Sequence, residues 1–372
     1  MTRSSPDAPG AATARLTVHP GAIRDNYRAL ARRASVPLLP MVKADAYGVG
    51  AATVVRTLAP ERPLAWGVAT VAEGVALREL AATGRIVVFT PSRPETFAAA
   101  RAAGLELVLE APGDVAAWTA LGGAWHLQLD TGMSRAGVRW DDGTTLAACL
   151  AAGAAPASVF THFHSADVAD DSMAVQLARF ERVLAALPAR PACVHVANTA
   201  AVVRGAPGRW DCARPGIGLY GVNPWRDGDW TPASVVMLAA PVIALRTVHA
   251  GDTVSYGARW RADGARRIAT VAIGYADGLP RVAHEGLVAR VGRTRAPVVG
   301  VVTMDMTMLD VTDAPCAIGD EATFVGAGAA TIGELADVAR RSPYEVLTGL
   351  HARAARSVAA IPAEAPVAGV AA

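Results

Sequence analysis

The sequence predicts an α/β barrel of TIM type, eight parallel strands with helices, followed by a mainly β C-terminal domain. Three observations carry this expectation. Up to Tyr220 the chain repeats one rhythm, a short apolar strand and then an amphipathic helix rich in Ala, Leu and Arg. After Asn223-Pro224-Trp225 the rhythm stops, and Met237 to Phe324 reads as short strands broken by Gly- and Asp-containing turns. A length of 372 residues suits two domains better than one small core.

The barrel strands are expected near Leu38–Lys43, Ala65–Thr70, Ile86–Thr90, Glu106–Glu110, Trp125–Asp130, Ser158–His162, Ala192–Ala197 and Asp211–Arg214. So many strand–helix units imply a closed barrel rather than an open sheet. Between them, Ile23, Tyr27, Leu30 and Ala31 share one face of a helix over Ala22–Arg33. Val175, Leu177, Phe180, Val183 and Leu184 do so over Val168–Ala186. Strands of the second domain are expected at Pro241–Val248, Thr253–Tyr256, Arg267–Ile273, Val298–Met304 and Glu321–Phe324. A last helix begins at Thr331, which forms a capping box with Glu334. The expected organisation is a disordered tail over 1–15, a barrel over 16–235, a β domain over 236–360 and a loose Ala/Pro tail over 361–372.

Composition excludes several function classes. A net charge of +2 gives no electrostatic case for nucleic acid or an anionic membrane. No apolar run has the length of a membrane span. Met1 to Thr17 is polar and small, without the apolar stretch of a signal peptide. The four cysteines show no CxxC spacing, which fits a reduced, cytoplasmic chain without a metal site.

The chemistry-bearing residues fall at strand ends. Lys43 closes the apolar run Leu38-Leu39-Pro40-Met41-Val42. A lysine there is costly unless paired or used, and partial desolvation makes its amine a nucleophile toward carbonyls. Asp130-Thr131-Gly132-Met133-Ser134-Arg135 follows the fifth strand and His162 ends the sixth. Asn198-Thr199 follows the seventh, and Arg214-Pro215-Gly216-Ile217-Gly218 follows the eighth. All would sit at the C-terminal mouth, where barrel enzymes keep their sites. A lysine, two arginines and a glycine-rich phosphate cradle fit pyridoxal 5'-phosphate held on the lysine as a Schiff base.

The segments MVKADAYGVG, LDTGMSRAGV, HVANTA, ARPGIGLYG, VSYG, IGYADG and VVTMDMTMLDV occur in order across Leu16 to Arg356. In this the chain resembles the alanine racemases of the fold-type III pyridoxal-phosphate class. The resemblance implies a homodimer with shared active sites that interconverts L- and D-alanine for cell-wall peptidoglycan.

It also implies residue roles. Lys43 and Tyr256 are the two catalytic bases. Lys43, Tyr47, His162, Asn198, Thr199, Arg214, Gly216 and Ile217 bind the cofactor. Arg135, Tyr275, Met304 and Asp305 bind substrate. The Tyr256 phenol is expected to be acidified by a cationic Arg214–His162 neighbourhood. The chain departs from the family at Gln128, where many relatives carry a carbamylated lysine, at Val49 and at Thr303. These departures leave room for a racemase of another or broader amino-acid range. A non-catalytic carrier of the cofactor is a further alternative, against which the second domain and Tyr256 weigh.

Overall fold

A computed structural model of the chain describes residues 13–80, 82–206, 210–350 and 353–360. The expected tail over 361–372, and all of the N-terminal one except Thr13–Arg15, lie outside the described residues. The chain divides into two compact units. One is Arg24–Pro232; the other comprises the chain up to Ile23 and from Ala233 onward.

The first strand, β1 (Arg15–Val18), belongs to the second unit. Residues 16–18 were expected to open the barrel. Instead β1 pairs antiparallel with β9 (Val236–Val248) and parallel with β17 (Ala355–Val358). Its alternating burial, with Leu16 and Val18 inward, matches a strand buried on one face.

The barrel unit is built on parallel strands β2 (Trp66–Val68), β3 (Ile86–Val88), β4 (Glu106–Leu109), β5 (Trp125–Asp130), β7 (Ser158–Phe160) and β8 (Val194–His195). They pair in that order, and a two-residue β6 (Val138–Arg139) sits beside β5. Most of these residues are buried, which is why the segments read as unbroken apolar runs. The first and last expected strands are thinner than predicted. Leu38 and Met41 make isolated parallel bridges to Ala213 and Gly67. These bridges still close the ring. Asp211 N donates to Val194 O at 2.8 Å, Leu39 N to Ala213 O at 2.8 Å, Met41 N to Pro215 O at 2.9 Å, and Gly67 N to Pro40 O at 2.9 Å. Pro37, Pro40 and Pro215 lack N–H groups, which explains why these segments bridge without forming full ladders.

The helix over Ser172–Ala186 starts later than Val168, and its buried face is rotated from the expected one. Val175 is exposed and Gln176 is buried. The Gln176 amide donates to His162 O (3.0 Å) and Thr131 Oγ1 (3.2 Å) and accepts from His164 N (2.9 Å). Satisfied in this way, a glutamine can take an interior position.

In the second unit the 13-residue β9 is the hub. Its first half pairs with β1 and β16 (Glu321–Val325), its second half with β12 (Arg266–Val271). The strand pairs β13 (Val288–Val291) with β14 (Thr294–Pro297), and β12 with β15 (Thr307–Asp310), complete the sheet. A small hairpin joins β10 (Thr253–Val254) to β11 (Trp260–Arg261). Val248, Val254, Ile268 and Val299 pack beneath it. The helix Ile332–Ala339 opens with the expected Thr331–Glu334 capping box.

Candidate active site

Lys43 opens a left-handed turn. Ala44, Asp45, Ala46 and Tyr47 all have φ between 51° and 57°. Each such non-glycine residue costs about 1–2 kcal/mol, so surrounding contacts must impose the shape. The Ala44 N–H donates to Glu73 Oε1 (2.7 Å), while Glu73 Oε2 accepts from Ala69 N (2.7 Å). Asp45 Oδ1 accepts from Ala51 N (2.7 Å) and Gly50 N donates to Asp45 O (2.8 Å). Glu73 also caps the helix Val71–Glu79, so one carboxylate ties the lysine turn to the end of β2.

The turn delivers Tyr47 to the mouth. Its ring packs on Tyr220 at 4.8 Å, and Tyr220 Oη donates to Met41 O at 2.7 Å. A side chain at residue 216 would collide with the Tyr47 hydroxyl, so Tyr47 keeps this place only against glycine. Thr199 Oγ1 accepts from Gly216 N (3.0 Å) and Gly218 N (3.4 Å). Asn198 caps its helix through Ala201 N (3.0 Å), and Ile217 is buried beside it. The Tyr47 phenol, the Thr199 hydroxyl and the Gly216 backbone donor thus converge.

Arg214 is 4% exposed and held on three sides. It donates to His195 Nδ1, to Thr161 O (2.8 Å) and to Val196 O (3.2 Å), with His162 Nδ1 at 3.4 Å. Its guanidinium lies 5.1 Å from the Phe160 ring centroid. Burial pulls its pKa down to about 10, so it stays charged at neutral pH. Desolvation pushes His162 down to about 3, and the charges of Arg214, Arg135 and Lys43 act in the same direction. His162 is therefore neutral. The neighbourhood expected to be cationic through both residues owes its charge to the arginine alone. Burial, and then Arg135, lower the Lys43 amine, with Glu73 opposing.

Arg135 rides on a loop fastened through its backbone. Asp130 Oδ1 accepts from Gly132 N and Ser134 N (3.0 Å each), and Glu110 Oε2 from Gly137 N (2.6 Å). The buried Gln128 amide donates to Ala136 O (3.0 Å), one residue beyond Arg135. This hydrogen bond holds the backbone that adjoins Arg135.

Three cations near one neutral imidazole, with the Tyr47 and Thr199 hydroxyls and the glycine turn at the same mouth, suit an anionic ligand carrying a phosphate. An amine lowered by burial suits its carbonyl. The residues fit pyridoxal phosphate.

The second unit gathers the other predicted residues around one open groove of about 870 Å³, lined by Tyr256, Tyr275, Met304, Asp305 and Met306. Tyr256 is 69% exposed on a turn after β10. Ser255 before it has φ 67° and donates its hydroxyl to Val301 O (2.6 Å). Tyr275 and Met304 sit on two turns that touch: Tyr275 N donates to Thr303 O (3.0 Å), and no Cβ fits at Gly274 against the Met304 carbonyl. Arg353 clamps both turns, donating to Asp277 (2.8 and 2.9 Å) and Asp305 (2.6 Å). Asp305 is thus paired to an arginine within its own unit. Arg353, Asp277, Glu73 and Tyr220 were not singled out by sequence; each works through a contact distant along the chain.

The chain matches the family model "Alanine racemase, N-terminal domain" over residues 18–224, and "Alanine racemase, C-terminal domain" over residues 235–358. The chain belongs to the alanine racemase family. It is 40% identical over 342 residues to the alanine racemase of Deinococcus radiodurans, covering 91% of this chain and 96% of that one. The biosynthetic alanine racemase of Pseudomonas aeruginosa superposes with a TM-score of 0.85 at 33% identity, over 94% of this chain and 100% of that one. The alanine racemase of Bartonella henselae, solved with covalently bound pyridoxal phosphate, gives 0.85 at 28% identity with the same coverage. Membership makes this chain a pyridoxal-phosphate enzyme with the barrel and β domain of the racemases. No described helix is long and apolar enough to cross a membrane.

Proposed function

We propose that this chain racemises alanine by a two-base mechanism, with Lys43 and Tyr256 as the bases. The observations that carry the reading are the clustering of Lys43, Arg135 and Arg214 near a buried His162 and the Tyr47–Thr199–Gly216 cradle. Pyridoxal phosphate, when bound, supplies a carbonyl for an amine and a ring that accepts the electrons of the α C–H bond.

The chain's own residues do the rest. Lys43 would hold the cofactor, and its amine, lowered by burial and by Arg135, would take or give a proton at Nζ. Tyr47, Thr199 and the backbone of Gly216 and Ile217 would hold the phosphate, with Asn198 fixing Thr199 at its helix start. Arg214 would face the ring nitrogen. A guanidinium donates a hydrogen bond without surrendering its proton. That keeps the ring a modest electron sink and favours reprotonation over side reactions. Arg135 would take the substrate carboxylate, with Tyr275, Met304 and Asp305 shaping its approach.

The second base must come from the opposite face. Tyr256 stands out from its unit, beside Tyr275, Met304 and Met306, each at least 41% exposed. An apolar groove of that kind calls for a partner surface. In the proposed homodimer Tyr256 of one copy faces Lys43 of the other, making two equivalent sites. The role read from this chemistry is supply of D-alanine for peptidoglycan, in the cytoplasm. The functional halves are the barrel unit, Arg24–Pro232, and the β unit that also takes in β1.

The test is loss of optical rotation from L-alanine by the purified, cofactor-loaded protein, beside a panel of other single amino acids. Racemisation of alanine ahead of the panel supports the reading. Preference for another amino acid, or none racemised, overturns it.

A further inference from the structure

A directed hydrogen-bond chain runs from Arg214 through the barrel interior. His195 Nε2 lies 3.0 Å from Ser158 Oγ, and Ser158 Oγ lies 2.7 Å from His126 Nδ1. His126 Nε2 lies 2.9 Å from Glu106 Oε2, and Glu106 is paired bidentately by Arg85 at 2.7 and 2.8 Å. Ser158, His126 and His195 are each no more than 3% exposed. The residues come from adjacent strands: β5 and β7 pair His126 with Ser158, and β7 and β8 pair Phe160 with His195. The His195 ring stacks on Phe160 at 4.9 Å and 8°.

For a neutral His126 the chemistry leaves one arrangement of protons. A guanidinium has no acceptor, so His195 Nδ1 must accept from Arg214. His195, fully buried beside that charge, is neutral and carries its proton on Nε2. That proton goes to Ser158, whose own hydroxyl proton goes to His126 Nδ1. His126 then donates from Nε2 to the Glu106 carboxylate. Burial works against ionisation of Glu106, but hydrogen bonds from His126 and Arg85 outweigh it and hold its pKa at about 2. One end of the chain is thus a fixed negative charge and the other an acceptor aimed at Arg214. Each link polarises the next. Both His195 nitrogens are thereby committed, although Cys193 and Cys212 lie within 4.8 Å of its ligating atom.

We propose that Ser158, His126 and Glu106 are positioning residues for the reaction. They fix His195 as a polarised acceptor that locks Arg214, so its remaining N–H groups are held for the cofactor's ring nitrogen. This rests on the reading above that Arg214 meets that nitrogen. The analogy is the outer group that sets the tautomer of a metal-bound histidine.

The test uses the cofactor-loaded protein with ¹⁵N-labelled histidine. The wild type should show His195 with a bare Nδ1 and a protonated Nε2. Ser158→Ala should lose this single tautomer and drop kcat about 10-fold with little change in KM, and Ser158→Thr, which keeps the hydroxyl, should restore both. Glu106→Gln, at a partly exposed site, should keep the tautomer yet lower kcat, and serves if Ser158→Ala fails to fold. A proton on Nδ1 of wild-type His195, an unchanged tautomer and kcat in Ser158→Ala, or wild-type kcat in Glu106→Gln would overturn the proposal. A wild type that racemises nothing would sink the functional reading instead, because the nitrogen spectra test the chain by themselves.

Discussion

The phenol of Tyr47 fills the space that a side chain at residue 216 would need. The two residues come from opposite ends of the barrel sequence and meet because the bridged segments at Met41 and Pro215 close the ring. Gly216→Ala should therefore displace Tyr47 from the proposed phosphate cradle. Overpacking of this sort costs about 1–3 kcal/mol, so cofactor affinity should fall about tenfold or more in an absorbance titration, with the melting temperature lowered in parallel.

Acid should destabilise the fold through His162. Its folded pKa is depressed from 6.5 to about 3, so the unfolded chain binds a proton that the folded chain refuses. The stability this contributes is present above 6.5 and is lost as pH falls toward 3. His195, also lowered, acts in the same direction. Glu106 joins only below its ordinary 4.5. Between those two limits the acid slope belongs largely to the histidines. Urea midpoints measured across pH should fall more steeply for wild type than for His162→Gln.

Gln128 carries an amide that, unlike a lysine amine, cannot take up carbon dioxide. Activity should therefore be the same with and without bicarbonate. Gln128→Leu should remove the tie to Ala136 O and cost about 1–3 kcal/mol of stability. Because that tie adjoins Arg135, the substrate KM should rise more than kcat falls. Equal KM in the variant would show that the loop holds Arg135 without it.

Mixing inactive variants tests the proposed shared site. Lys43→Ala and Tyr256→Phe homodimers should each racemise poorly. In a heterodimer one site carries both lesions and the other carries neither, so about half of the wild-type activity per dimer should return. Verified heterodimers without recovery would place both residues in one chain's own site.

The barrel was legible because its strands are buried on both faces and its helices alternate with them. The clustering of Lys43, Arg135, His162 and Arg214 was legible because they sit at or just after strand ends. What escaped depends on contacts that periodicity does not encode. Nothing in the side chains of Ala44 to Tyr47 announces their left-handed path, which Glu73 ties down through the Ala44 N–H. Gln176 was hidden because a polar residue on a helix is assigned outward until its partners are known. His126, Ser158 and His195 did carry a signal, being polar residues inside apolar strands, but their pairing required the strand register. Leu16 to Val18 were misplaced because a strand's partners, here β9 and β17, lie hundreds of residues away.

The two-base claim is tested most directly by proton exchange in heavy water. Tyr256→Phe should be given L-alanine and D-alanine separately, with α-deuterium and chirality read by NMR and chiral separation. Wild type should carry deuterium into both products. The variant, with Lys43 alone, should exchange the α-proton of one enantiomer without inverting it and leave the other untouched, with racemisation down by at least about 100-fold. Racemisation at the wild-type rate, or equal exchange from both enantiomers, would contradict the account.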